Sequence, residues 1–326
     1  MHAFTANRYG GPEVLELDEV ELPEPAAGQV RLRVVAASVN PLDWHQLRGE
    51  PWLVRMTGGI RRPKQTVIGT DVAGVVDAVG DGVDRLQIGD RVFGAGIGTF
   101  GPWALALAKR LAIVPDGVEP PTAASLPIAG CTALQAVRRS GIGAGSKVLI
   151  VGASGGVGTF AVQLAVAVGA SVTGVCSTHN LELVRSLGAS DVVDHTAGGL
   201  DALTGPFDAI IDNIGSLPFK RCKQLLTKGG AYVVVGGPDG GRLLGPLTHL
   251  VRAKLAFTTG GRKAVPFLAA IEPDDLSELA RHVADGSLVP VIERTFATND
   301  LPDAIRHVET KHTRGKVVLS DTLVWP

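Results

Sequence analysis

The stretch that decides the fold of this chain is VLIVGASGGVGTFAVQLAVAVGASVTGVCSTHN, residues 148–180. It begins with four aliphatic residues, which predict a buried strand, and runs through glycines into an apolar segment long enough for a helix. A second β-branched run ends at Cys176. Strand, glycine loop, helix and strand in this order predict a βαβ unit and a parallel sheet.

The glycine spacing indicates what the loop holds. Positions 153, 155 and 158 have the spacing of the dinucleotide fingerprint, with Ala where the first Gly usually stands. Gly155 lets the backbone approach a pyrophosphate, and the helix that we predict from Gly156 points its free N–H groups at it. The alternative is a purely structural glycine turn. The residues expected to bind a dinucleotide here are Ala153, Ser154, Gly155, Gly156, Val157 and Gly158.

The segment CSTHN after the second strand indicates which dinucleotide. A site for NAD usually has an acidic residue at this point, about 20 residues past the fingerprint, and here there is none. Ser177, Thr178 and Asn180 are small donors suited to a 2′-phosphate, and His179 adds charge when protonated. The sequence therefore favours NADPH, with NADH as the weaker possibility. The alternative is that Ser177 or Thr178 caps a helix.

The composition argues against several classes of partner. The 326 residues include 31 basic and 32 acidic ones, so no field of one sign favours nucleic acid or an anionic membrane. The amino end, MHAFTANRYGG, does not have the pattern of a secretory signal, and three widely spaced cysteines are typical of reduced thiols. We expect a cytoplasmic protein that binds a small molecule, with neither nucleic acid nor a membrane as partner.

The texture of the chain predicts two domains. Residues 1–118 are β-rich with Gly, Asp and Pro between the runs, whereas residues 119–256 alternate β-branched and helical segments. Residues 257–326 end in a helix, a strand, a helix and a strand, and are expected to return to the first domain. The predicted strands of the alternating part are 148–151, 172–176, 192–193, 209–211 and 232–235.

Nine stretches together resemble the zinc-independent quinone oxidoreductases and enone reductases of the medium-chain dehydrogenase/reductase superfamily. They are ASVNPLDWHQLRG, GTDVAGVV, GDRVFG, LPIAGCTALQAV, GASGGVGTFAVQLA, CSTHNLELVRSLGA, FDAIIDNIG, VVVGGP and TRGKVVLS. The resemblance spans nearly the whole chain. It implies an α/β protein with a GroES-like β-rich catalytic domain, a Rossmann doubly wound parallel-sheet domain for NADP(H), a cofactor in the cleft between them, and a homodimer.

The resemblance also implies site residues outside the glycine loop. Thr132, Asn213, Gly236 and Gly237 are expected to hold the cofactor, and Lys316 is expected to contact it. The catalytic candidates are Asn40, Thr132 and Lys316. Thr132 could instead bond back within its own helix, and Lys316 could lie unremarkably on a surface strand edge.

The zinc of related alcohol dehydrogenases is not expected here. The resemblance matches their Cys, His and Cys ligands to Asn40, Thr70 and Ile128, which do not form a competent zinc site. Other polar residues have plainer interpretations. Asp43 and His45 could take part in acid–base chemistry, but Asp43 could equally cap a short helix and His45 could be solvated. Histidines such as His195 and His249 are expected at exposed positions, and residues 58–64 form either a substrate lid or a solvated turn.

Without a metal, the chemistry favours conjugated acceptors. Hydride transfer to a simple ketone forms an alkoxide, whose conjugate acid resembles water with a pKa of about 15.7. A phenol-like product has a pKa of about 10, so about 7 to 8 kcal/mol of charge stabilisation is not needed. We therefore expect hydride transfer from NADPH to a quinone or an α,β-unsaturated carbonyl. The alternatives are the reductive step of a secondary-metabolite or haloacrylate pathway and a non-catalytic NADPH-binding regulator.

Overall fold

The chain folds into two compact units, one formed by Met1–Cys131 and Ile271–Pro326 and the other by Thr132–Ala270. The computed structural model describes residues 1–237, 247–322 and 324–325. The unit boundaries fall later in the chain than residues 118 and 257, where the sequence texture changes.

The secondary structure follows the predicted order. The strands are β1 His2–Ala6, β2 Leu15–Glu19, β3 Gln29–Val39, β4 Asp71–Val79, β5 Arg91–Ala95, β6 Trp103–Leu107, β7 Leu111–Ile113, β8 Lys147–Val151, β9 Ser171–Cys176, β10 Asp191–Asp194, β11 Phe207–Asp212, β12 Leu226–Val234, β13 Lys263–Pro266, β14 Ile292–Phe296 and β15 Lys316–Leu319. The helices are α1 Pro41–Arg48, α2 Leu53–Gly58, α3 Pro120–Ser125, α4 Pro127–Ser140, α5 Gly156–Ala167, α6 Leu181–Ser186, α7 Gly199–Ala202, α8 Phe219–Leu225, α9 Leu247–Ala256, α10 Pro273–Ala284 and α11 Leu301–Glu309. Short 3₁₀ turns lie at Pro12–Val14, Ala108–Arg110, Thr178–Asn180 and Thr298–Asp300.

The first unit is built on a seven-stranded sheet in the order β14-β15-β3-β4-β5-β7, with β6 also paired to β3. The last strand of the chain therefore lies beside the long strand β3, where Val317 pairs with Val39 in antiparallel register. On the other side of β3, Ser38 pairs with Asp71. These two registers bring residues from the start and the end of the chain to one place.

The second unit is a six-stranded sheet in the order β10-β9-β8-β11-β12-β13, and every pair in it is parallel. All five strands predicted in this part of the sequence form. The sheet extends further than the pattern indicates, because β13 at Lys263–Pro266 pairs with β12. This strand is short, ends in Pro and lies at the sheet edge, where a missing N–H is tolerated.

The strand order fixes where a ligand can bind in the second unit. The chain proceeds from β8 to β9 on one side and returns to β11 on the other side of β8. The loop after β8 and the loop after its neighbour β11 therefore lead in opposite directions. The crevice between these two loops is the usual ligand site of such sheets. The same edge carries the loops that begin at residues 152, 177 and 213.

Cys131, Cys176 and Cys222 are buried, and none of them forms a disulfide bond. Within the described ranges, no helix combines the length and apolar character needed to cross a bilayer.

Candidate active site

The loop after β8 is shaped by its glycines. Gly152 has φ +74°, a left-handed conformation that favours glycine. A Cβ atom on Gly158 would lie 2.1 Å from the carbonyl oxygen of Gly152, so α5 packs directly on the loop backbone. A Cβ atom on Gly155 would meet only that same oxygen, at 3.5 Å. Glycine at position 158 thus lets α5 pack against the loop, and glycine at position 155 leaves space beside the loop backbone.

The amino end of α5 supplies unoccupied donors in that space. The helix begins at Gly156, as predicted, and its N-cap residue is Gly155, which has no side chain that could cap the helix. The first-turn N–H groups of a helix have no intrahelical partner, and here they follow a loop with room for a ligand. Ala153 at the first fingerprint position is buried, and Ser154 is half-buried. The donor set fits the pyrophosphate of a dinucleotide.

The loop after β11 packs against the loop after β12. A Cβ atom on Gly236 would lie 2.0 Å from the carbonyl oxygen of Asn213, so only glycine fits there. The side-chain amide nitrogen of Asn213, Nδ2, donates to the Val151 carbonyl oxygen at 2.9 Å. Its side-chain oxygen is buried and has no hydrogen-bond partner. An orphaned acceptor at this edge fits a ligand that carries hydroxyl or amide donors, as a dinucleotide does.

The segment after β9 is a 3₁₀ turn with its own contacts. Asn180 donates from its side chain to the Ser177 hydroxyl at 3.1 Å, and His179 is exposed. Ser177 is the N-cap residue of this turn, as the capping alternative has it, but neither the turn nor α6 has a side-chain capping bond. The Thr178 hydroxyl instead donates to Asp194 at 2.5 Å.

The first unit contains a buried polar network that includes both Asn40 and Lys316. The Lys316 Nζ atom lies 2.6 Å from Asn40 Oδ1, and Asn40 Nδ2 donates to Asp71 Oδ2 at 2.8 Å. The Ser38 hydroxyl donates to the same Asp71 oxygen at 2.8 Å. Lys316 is 3% exposed and Asp71 is 0% exposed. The surface-edge interpretation of Lys316 is therefore wrong, since β15 is an interior strand.

A second buried carboxylate adjoins this network. Asp43 accepts from the backbone N–H of Asn40 at 2.7 Å and from the Thr70 hydroxyl at 3.2 Å. The first of these bonds caps α1, which agrees with the capping interpretation of Asp43. Asn40, Thr70 and Ile128, the positions matched to the zinc ligands of related alcohol dehydrogenases, all contact these two acids, since the Ile128 N–H donates to Asp71 at 3.1 Å.

Burial dominates the protonation of the network. It raises the pKa of Asp43 to about 7, with the neighbouring Asp71 charge adding to the rise and the Asn40 N–H opposing it. Burial also raises the pKa of Asp71 and lowers that of Lys316, although each charge partly offsets the shift of the other. The desolvation of this pair thus outweighs its 3.6 Å attraction.

Sequence reasoning missed Ser38 and Asp71 as members of this network. A usable signal existed for Asp71, because an acid between Thr70 and the apolar run VAGVV is expected to be buried and therefore to have partners. Ser38 carried no such signal. The exposed interpretations of two histidines are also wrong. His249 is 8% exposed and its ring packs against Phe219, and His45 stacks on Trp44 and contacts the Glu50 carbonyl.

Thr132 and Gly237 are two further residues predicted for the site. Thr132 lies half-buried in α4, and Gly237 is half-buried after β12. Across the described ranges, no group of three or more His, Cys, Asp or Glu side chains is arranged to hold a metal ion.

The sequence matches two domain families. Residues 26–116 match the alcohol dehydrogenase GroES-like domain, and residues 187–319 match the zinc-binding dehydrogenase domain. These matches cover parts of both units.

Several relatives match over nearly the whole of this chain. The chain is 32% identical to a chloroplast envelope quinone oxidoreductase homolog of Arabidopsis thaliana, over 98% of both chains. It is also 32% identical to an NADPH-dependent alkenal/one oxidoreductase of that plant, over 98% of this chain and 79% of the relative. The quinone oxidoreductase of Coxiella burnetii superposes with a TM-score of 0.87 at 28% identity, over 99% of both chains. The α/β fold predicted from the sequence, a GroES-like unit with a Rossmann unit, is confirmed, and the chain belongs to the quinone oxidoreductase family of the medium-chain dehydrogenases/reductases.

Proposed function

We propose that this chain transfers a hydride from NADPH to a quinone or an α,β-unsaturated carbonyl, without zinc. The observation that carries the proposal is the Lys316–Asn40–Asp71 network, which joins an ammonium group to the positions matched to metal ligands. One relative is named an NADPH-dependent alkenal/one oxidoreductase, which supports the same class of acceptor.

The second unit supplies the residues for the cofactor. The backbone at Gly155, Gly156 and Val157 would hold the pyrophosphate, and Ser177 and His179 would meet the adenosine end. Asn213, with its unpartnered oxygen, would accept a hydrogen bond from the bound molecule. When bound, NADPH supplies the hydride. Gly237, Thr132 and the cofactor contact of Lys316 remain part of the proposal, carried by the family resemblance alone.

Lys316 is the best-placed electrophile of the first unit. An ammonium group has three N–H donors, and Asn40 takes one of them at 2.6 Å. Burial lowers the pKa of Lys316, which makes it a stronger acid toward an oxygen that gains charge. A quinone or enone oxygen that accepts this bond is stabilised as negative charge develops.

Asn40 is better described as a positioning residue. Its oxygen accepts from Lys316, while its amide donates to Asp71 and to the Ser38 carbonyl at 3.2 Å. With its polar atoms thus engaged, Asn40 orients the ammonium of Lys316 rather than binding an acceptor itself. Asp71 then balances the ammonium charge from 3.6 Å.

The test is turnover against a matched panel of acceptors. The purified protein is mixed with NADPH or NADH and with quinones, enones, enals, saturated ketones and saturated aldehydes, and the near-ultraviolet absorbance of the reduced cofactor is followed. We expect conjugated acceptors to exceed their saturated counterparts by at least about 100-fold in kcat/KM. Turnover of saturated ketones alone overturns the proposal. Tight NADPH binding without turnover of any acceptor favours the regulator instead.

The size and charge of the preferred acceptor distinguish the proposed reaction from the alternative of a dedicated pathway step. Charged haloacrylates or bulky secondary metabolites turning over much faster than simple quinones and enones would assign the chain to a dedicated reductive step.

We further propose that the protein acts in the cytoplasm as a homodimer. The near-neutral composition and the three reduced, buried thiols support the first part, and the family resemblance supports the second. Cell fractionation and sedimentation velocity test the two parts separately. The Arabidopsis alkenal/one reductase is named as chloroplastic, so recovery of this protein in an organelle fraction overturns the location.

A further inference from the structure

We infer that Asp194 is a specificity residue that weakens the preference of this chain for NADPH over NADH. The inference rests on the proposed function, since it concerns the cofactor of that reaction. No acid directly follows β9 in the segment STHN, residues 177–180, where NAD-binding sheets usually carry one. The tertiary structure brings one to that place from the next strand of the sheet.

The register of the sheet places Asp194 beside the end of β9. Strand β10 pairs with β9 in parallel, and Asp194 is the partner of Cys176, the last residue of β9. The N–H of the following residue, His195, donates to the Cys176 carbonyl oxygen at 3.1 Å. The adenosine ribose of a bound dinucleotide lies just beyond this strand end. Asp194 therefore borders the position of a 2′-phosphate.

Its carboxylate is held in place and remains charged. Oδ2 accepts from the Thr178 hydroxyl at 2.5 Å, and Oδ1 accepts from the Thr196 N–H and hydroxyl at 2.8 and 2.6 Å. These bonds lower the pKa of Asp194 to about 2. The group is thus a fixed negative charge near neutral pH, and its oxygens already accept hydrogen bonds from Thr178 and Thr196.

Arg185 is a positive charge near the end of β9. Burial and the Asp194 charge raise the pKa of the Cys176 thiol to about 11, and Arg185 offsets part of that rise. Asp194 and Arg185 therefore both act on the end of β9. His179 adds positive charge only when protonated. A 2′-phosphate bound by Ser177 or His179 is repelled by Asp194, whereas the neutral 2′-hydroxyl of NADH is not.

The test is the cofactor ratio of Asp194→Asn. Asparagine keeps the shape, an acceptor for Thr196 and a donor for the Thr178 oxygen, and removes only the charge. We expect (kcat/KM) for NADPH divided by that for NADH to rise about fivefold to tenfold, mainly through the KM of NADPH. Asp194→Thr serves as a second variant that also removes the charge.

The matched control is Asp191→Asn on the same strand. It changes the net charge equally but lies three residues away, about 10 Å along the strand. An Asp194→Asn ratio that stays within twofold of the wild type, or an equal rise in the control, overturns the inference.

Binding separates this inference from the proposed reaction. Calorimetric titration with adenosine 2′,5′-bisphosphate and with AMP compares ligands that differ only in the 2′-phosphate. We expect Asp194→Asn to tighten the first by about fivefold to tenfold and to leave the second unchanged. A protein that shows this shift but oxidises no cofactor retains the inference and loses the proposed function, and a protein that turns over but shows no shift does the reverse.

Discussion

The Lys316 Nζ atom lies 2.6 Å from the side-chain oxygen of Asn40, although 276 positions separate the two residues in the chain. This contact joins the last strand to the loop before α1 and places an ammonium group beside two buried carboxylates. Its geometry leads to the first two predictions.

Replacing Lys316 by Met should reduce activity and stability together. The variant removes the proposed electrophile and leaves Asp71 buried without its counter-charge, which typically destabilises a fold by about 3 to 5 kcal/mol. We expect kcat to fall about 100-fold with a conjugated acceptor, because one charged donor to the developing oxyanion is lost. Steady-state kinetics and chemical denaturation measure the two effects.

The double variant Lys316→Met, Asp71→Asn separates the effect on activity from the effect on stability. It removes both charges, so most of the lost stability should return while kcat stays low. Recovery of activity along with stability would show that Lys316 acts only on folding.

Asp43 should make stability fall as the pH rises. Its folded pKa of about 7 lies above its ordinary value of 3.8, so the native state holds a proton that the unfolded chain has already released. The stabilising contribution is complete below about pH 4 and is lost as the pH approaches 7, by up to about 4 kcal/mol. Denaturant unfolding from pH 4 to pH 8 follows the change.

Asp43→Asn is the matched variant for this effect. It imitates the protonated carboxyl group and still accepts from the Asn40 N–H. The difference in unfolding free energy between wild type and variant should change across this interval, and a constant difference contradicts the elevated pKa.

Gly155 and Gly158 should respond differently to alanine. A methyl group at residue 155 meets nothing closer than 3.5 Å, so Gly155→Ala should keep the melting temperature and weaken NADPH binding by at least about tenfold, through crowding of the pyrophosphate. A methyl group at residue 158 would lie 2.1 Å from a backbone oxygen, so Gly158→Ala should destabilise the unit itself. Thermal melts and fluorescence titration with NADPH distinguish the two.

Zinc should be dispensable. The Lys316 ammonium is bonded to Asn40, one of the positions matched to metal ligands, and a dication beside it would be repelled. We expect elemental analysis to find far less than one zinc per chain, and chelator treatment to leave the turnover of a quinone unchanged. Stoichiometric zinc whose removal abolishes activity refutes the metal-free mechanism.

The sequence by itself determined the Rossmann unit and the glycine loop after β8. Strand β8, the loop with Gly155 and Gly158, and the helix from Gly156 depend on contacts between neighbours in the chain, and their spacing is visible in a single stretch of sequence. The same is true of the five parallel strands, because β-branched runs and helical periods alternate locally.

Only the tertiary structure determined which groups surround Lys316 and that the Asp194 carboxylate lies beside the end of β9. Lys316 reaches Asn40 and Asp71 through the pairing of β15 with β3 and of β3 with β4, and Asp194 reaches Thr178 through the pairing of β10 with β9. Sheet registers join residues far apart in the chain, and no local pattern encodes which partners they bring together. Burial then shifts the protonation of Asp43, Asp71 and Lys316, since the loss of water around a charge depends on the whole fold rather than on the residue type.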